Sequence, residues 1–135
     1  MKLSHARIIT KDVPALSQFY QQITGITPVG NDDYREIRTN AGTLAIGSQR
    51  SMELYGAGAA IPASNRSAIV EFQVEDVDRE RARLAEIVTE FALEPTDQPW
   101  GNRSMLFRDP DGNLINFYTP KRQAAGSQNA EAAGA

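Results

Sequence analysis

The chain has 135 residues, 41% hydrophobic and 23% charged, values at which ordinary soluble globular domains sit, so one compact domain with its own core is expected. It contains no cysteine, which excludes a disulfide framework, a thiolate nucleophile and a thiolate metal site. A formal net charge of -3 without any basic stripe argues against a nucleic-acid surface, which needs clustered Lys and Arg to displace phosphate counterions.

The segment Met1 to Ile9 carries one lysine and a short apolar alternation, too brief for a secretory core or a membrane span. A soluble, cytoplasmic protein with no membrane partner is the expectation. In this segment Ala6, Ile8 and Thr10 alternate with Arg7 and Ile9, which predicts a strand. Asp12-Val13 closes the strand and opens a helix with Leu16, Phe19, Tyr20 and Ile23 at helical spacing. Asp12 suits the N-cap, Pro14 the first turn, and Thr24-Gly25 the stop. A poorly marked strand follows near Thr27 to Gly30. Two clearer ones, Tyr34 to Arg38 and Gly42 to Ser48, flank the Asn40-Ala41-Gly42 turn.

Arg50 to Arg66 contains Gly56, Gly58, Pro62 and Asn65, a composition favouring irregular structure over a helix or central strand. The pattern then begins again. His5 to Ile23 aligns with Ile69 to Ile87 at a constant offset, so Val70, Phe72 and Val74 alternate with Glu71 and Gln73, and Asp76-Val77 repeats Asp12-Val13. Leu84, Ile87, Val88 and Phe91 supply the apolar positions of the second predicted helix. Glu90 to Pro95, Arg103 to Arg108 and Leu114 to Thr119 read as strands, the last two joined by the strong turn Asp109-Pro110-Asp111-Gly112-Asn113. The expected architecture is therefore α+β, with two tandem βαβββ modules at about residues 3–49 and 67–120. A linker at about 50–66 joins them, the whole domain spans 1–120, and a flexible, Ala/Gly-rich tail occupies 121–135.

A strand-one His seven residues before a strand-ending Asp, repeated βαβββ units, and the closing string from Pro99-Trp100-Gly101 through Asp109-Pro110-Asp111-Gly112-Asn113 to Pro120 resemble the vicinal oxygen chelate superfamily. That superfamily holds glyoxalases, bleomycin-resistance proteins and extradiol dioxygenases. The likeness covers about residues 3–120. It implies two four-stranded curved mixed sheets around a cleft, commonly in a homodimer, with the ligand in the cleft.

Each strand then turns one face to its helix, and polar residues on the other face become ligand candidates: His5 and Arg7, then Glu71 and Gln73, then Asn116 and Tyr118. The plainer alternative for Arg7 and Glu71 is a salt bridge across neighbouring strands. Trp100 offers a flat face for stacking, or else an anchor in the core or dimer seam. Tyr34, Arg38, Tyr55 and Met52 are further candidates whose direction the sequence does not settle. No G-x-S-x-G elbow occurs, and Gly56-Ala57-Gly58 precedes no helix, which excludes a serine-hydrolase elbow and a phosphate loop.

Metal-using relatives supply His or Gln from strand one, Glu from strand four, His from strand five and Glu from strand eight. Here only His5 matches. Thr43 to Ser48 holds no acid or imidazole, and Ile69 and Asn116 stand at the other two positions. A divalent cation needs several O or N donors, so no cofactor is expected; a weak His5, Glu71, Asn116 site is the remaining metal option. The expected function is metal-independent binding of a hydrophobic or aromatic small molecule, with drug sequestration as one instance. His5, Arg7, Arg38, Tyr55, Glu71, Trp100, Asn116 and Tyr118 are the candidate contacts. The alternative is an enzyme: a metal-dependent lyase, isomerase or oxygenase with atypical ligands, or a metal-free catalyst using His5 or Glu71 as general base.

Overall fold

A computed structural model describes residues 1–121. The chain divides into two compact units, the first Met1–Asn65 with Pro110–Gly112, the second Arg66–Asp109 with the chain from Asn113 onward. The expected tail, apart from Lys121, lies outside the described residues. No helix among these residues is long and apolar enough to cross a membrane.

In the first unit β1 (His5–Thr10), α1 (Val13–Thr24), β2 (Val29–Gly30), β3 (Tyr34–Arg38) and β4 (Thr43–Ser48) follow one another. Their sheet has the order β1-β4-β3-β2, with β1 parallel to β4 and the other pairs antiparallel. Asp12 caps α1 by accepting the Ala15 N–H at 3.0 Å, and Gly25 ends it in the left-handed region at φ 74°, where a side chain is disfavoured. Val13, Leu16, Tyr20 and Ile23 are buried on one side of α1, and Ile37, Leu44 and Ile46 are buried on the sheet that the helix packs against. Each such side chain contributes about 1.5–3 kcal/mol of hydrophobic stabilisation.

The second unit repeats the plan with β5 (Ile69–Gln73), α2 (Val77–Leu84), β6 (Phe91–Asp97), β7 (Asn102–Arg108) and β8 (Leu114–Pro120). Its sheet order is β5-β8-β7-β6, with β5 parallel to β8. Asp76 caps α2 by accepting from both Asp78 N and Arg79 N at 3.1 Å, the counterpart of Asp12. The hairpin between β7 and β8 closes on Asp109, whose Oδ1 accepts the Asn113 N–H at 2.9 Å, while Gly112 takes φ 84°.

Two expectations need correction. The second helix stops at Leu84; Ile87 and Val88 lie in a turn whose amides both donate to the Leu84 carbonyl, and Phe91 begins β6. Arg79, Glu80, Arg81 and Arg83 leave α2 with only Val77 and Leu84 buried, too little apolar surface to extend the helix. Phe91 instead joins the aromatic core, 6.1 Å from Phe107, which in turn lies 5.1 Å from Phe117. The connecting segment is also not irregular throughout, since Arg50–Leu54 forms a short 3-10 helix. Ser48 Oγ accepts the Ser51 N–H at 3.0 Å, and a contact distant in sequence adds to this local one: Arg50 grips Asp33 in the loop before β3.

Candidate functional site

Strand pairing sets the composition of the sheet face turned away from α1. Because directly opposed residues share a face, three rows run across the first sheet: His5, Thr43 and Arg38; Arg7, Ala45 and Glu36; Ile9, Gly47 and Tyr34. The middle strand contributes only small side chains to these rows. Long side chains on β1 and β3 therefore reach one another over β4.

The contacts follow from that trough. His5 Nε2 lies 3.2 Å from Glu36 Oε2, and since a carboxylate only accepts, the imidazole donates here. Its Nδ1 is 2.8 Å from Ser4 Oγ. Tyr34 donates its hydroxyl to the same Glu36 oxygen at 2.8 Å, and Arg38 donates Nε to the other at 2.7 Å. Arg38 first, then Tyr34, hold the Glu36 carboxyl below its ordinary range, and burial with the Glu36 bond pushes the Tyr34 phenol up. Arg7 lies 5.4 Å from the centre of the Tyr34 ring and 5.1 Å from that of Tyr55, whose hydroxyl accepts from its Nη2 at 3.3 Å. Tyr55 follows the 3-10 helix and is 67% exposed.

Four candidate contacts thus stand together on one face: His5, Arg7, Arg38 and Tyr55. On the corresponding face of the second sheet, Glu71 opposes Asn116 and Gln73 opposes Tyr118. Asn116 donates Nδ2 to Glu71 Oε1 at 3.1 Å, and its carbonyl oxygen is buried with no hydrogen-bond partner among the described residues. The alternative of an Arg7–Glu71 pair across neighbouring strands is overturned, because β1 pairs with β4 and β5 pairs with β8, in separate sheets. Trp100 sits between β6 and β7 at 52% exposure and is not a core anchor.

Glu36 is the residue that sequence reasoning missed, although Tyr34, Glu36 and Arg38 alternate visibly along β3. A separate open depression of about 380 Å³ lies along the connecting segment beside Met52, Glu53 and Ile61. Met52 itself is buried.

A divalent metal does not fit the residues present. The strand-four positions on this face are Thr43, Ala45 and Gly47, β5 offers Ile69, and β8 offers a neutral amide already bonded to Glu71. Among the described residues no three His, Asp or Glu side chains gather as a metal-holding group.

Two βαβββ modules, each with its helix on one face of a mixed four-stranded sheet, define an α+β class of known architecture. A profile of the Glyoxalase/Bleomycin resistance protein/Dioxygenase superfamily matches residues 2–117, and the chain belongs to that superfamily. No curated protein matches the chain. Among solved structures, a glyoxalase/bleomycin resistance protein/dioxygenase family enzyme from Burkholderia phytofirmans PsJN is similar at 20% identity and TM-score 0.79, covering 89% of this chain and 99% of its own. A glyoxalase/bleomycin resistance protein/dioxygenase from Nocardioides is similar at 21% identity and TM-score 0.73, covering 92% of this chain and 86% of its own. A glyoxalase-related enzyme from Fulvimarina pelagi is similar at 19% identity and TM-score 0.74, covering 88% of each chain. At such identities the likeness shows the fold alone.

Proposed function

We propose that this protein binds a hydrophobic, aromatic small molecule reversibly and without a metal, removing it from free solution as a drug-sequestering member of the superfamily would. The carrying observation is the trough on the first sheet, where Arg7, Tyr34 and Tyr55 put aromatic faces and directional donors beside one another. Glu71, Asn116 and Tyr118 are the second polar set in this reading, and Trp100 an aromatic one. Glu36 is a poor general base, because three donors stabilise its ionised form.

The reading treats residues 1–120 as one binding domain acting as a cytoplasmic homodimer, for which the exposed apolar side chains Leu3, Leu54 and Ile61 offer contact surface. Trp100 is the single tryptophan, and a ligand held against it would change its emission. A library of aromatic metabolites and antibiotics, screened by tryptophan emission and thermal shift, is expected to contain compounds that raise Tm with saturation. Failure of every compound at saturating concentration would remove the proposal. Stoichiometric divalent metal that survives dialysis in wild type and disappears in His5→Ala would replace it with the metal-dependent alternative.

A further inference from the structure

The first unit contains the arginines Arg7, Arg35, Arg38 and Arg50, and the last three each end on a carboxylate at 2.7 or 2.8 Å: Asp32, Glu36 and Asp33 respectively. Arg7 differs. Among the described residues its guanidinium meets two tyrosine rings and one tyrosine hydroxyl, and no carboxylate pairs with it. Among the described residues most of its five N–H donors therefore lack an acceptor.

This arginine is also held in place. Its stem crosses β4 over Gly47, where a Cβ would come within 3.2 Å of the Arg7 Cδ. The Tyr34 ring beside it is anchored through its hydroxyl to Glu36. Tyr55 follows the 3-10 helix that Asp33 pins through two contacts of 2.8 Å to Arg50 Nη2. A loose surface arginine loses side-chain entropy on gripping an anion, whereas one already ordered loses less.

We infer that Arg7 is the anchor for a carboxylate, and that the ligand of this face is an aromatic monocarboxylic acid. The inference rests on the aromatic-ligand reading above and narrows it to one chemical class. Arg38 offsets Glu36, so Arg7 leaves the trough with a local positive surplus on a chain whose formal net charge is -3. A carboxylate matches a guanidinium with two parallel N–H···O bonds and one opposite charge. A phosphate monoester brings close to two negative charges beside Glu36, and an ammonium ion meets Arg7 with like charge. The ring of the acid would extend along the exposed face of Tyr55.

Benzoate, benzamide, phenyl phosphate and benzylamine test the inference, with affinities from calorimetry and the Arg7 Nε–H resonance followed by heteronuclear NMR. Benzoate is expected to bind about tenfold more tightly than benzamide, the span of one charge-assisted bond, and to move the Arg7 resonance. Arg7→Gln should erase that preference, and Arg7→Lys should keep only part of it, because lysine retains the charge without the planar fork. Circular dichroism and Tm of both variants establish that they fold. Equal binding of benzamide or benzylamine, or a preference that survives in Arg7→Gln, removes the carboxylate anchor and leaves the aromatic-ligand reading standing. Tightest binding of phenyl phosphate overturns the carboxylate in favour of another oxoanion. Binding by none of the four removes the carboxylate anchor, while the aromatic-ligand reading falls only with the library screen above.

Discussion

The two units share element order, strand pairing and an Asp-capped helix, yet they use the sheet face opposite the helix in different ways. In the first unit the inner strand β4 lays Thr43, Ala45 and Gly47 between β1 and β3, so side chains from the flanking strands meet across it. In the second, β8 lays Leu114, Asn116 and Tyr118 in the equivalent places, and Glu71 bonds to its directly opposed neighbour Asn116. One backbone frame thus supports either contacts that cross a strand of small residues or larger side chains in the same rows, according to the side-chain volume on one inner strand.

The largest effect should come from breaking what the units have in common, their helix-side cores. Phe117→Ala removes a fully buried ring that touches both Phe72 and Phe107, and should cost about 3–5 kcal/mol in denaturant unfolding. Filling the trough tests the difference between the units. Gly47→Val places a Cβ 3.2 Å from Arg7 Cδ and from Ile9 Cδ1, so we expect a loss of about 1–3 kcal/mol from overpacking, together with weakened aromatic-ligand binding. Unchanged binding in that variant would show that the trough is not the binding surface.

Smaller again is the cap comparison. Asp12→Ala should cost about 1 kcal/mol, whereas Asp76→Ala should cost less, because α2 buries only Val77 and Leu84 and can fray locally. Equal losses by chemical denaturation would show that both helices unfold with their sheets. The smallest effect is the acid response of Glu36. Its folded-state pKa lies below the ordinary 4.5, so its stabilising contribution is complete above that value and fades as pH falls through the folded-state pKa. The Tm difference between wild type and Glu36→Gln should therefore be constant near neutrality and shrink in acid; a difference independent of pH throughout would contradict this.

Much of the frame was legible in the chain itself. The constant offset between His5 and Ile69, and between Asp12 and Asp76, announced a repeated unit, because strand and helix periodicities change at the same place in both copies. Tyr34 to Arg38 was readable as a strand to the residue. The end of α2 was not, since Phe91 satisfies helical spacing as well as it satisfies β6, where it packs near Phe107. Nor was the 3-10 helix after β4, which Arg50 ties to Asp33 on the far side of β3 and β4 in the chain.

The amino-acid order by itself determined the βαβββ repeat, the Asp caps, the side of each strand that meets its helix, and the poverty of metal donors at the matching positions. Tertiary structure alone decided that His5, Glu36 and Arg38 form one hydrogen-bonded group and that Arg7 lies between tyrosines without an acid. The reason is range. Alternation and capping act between residues a few positions apart, whereas His5 and Glu36 are brought to 3.2 Å by a sheet order in which β4, later than both in the chain, lies between their strands.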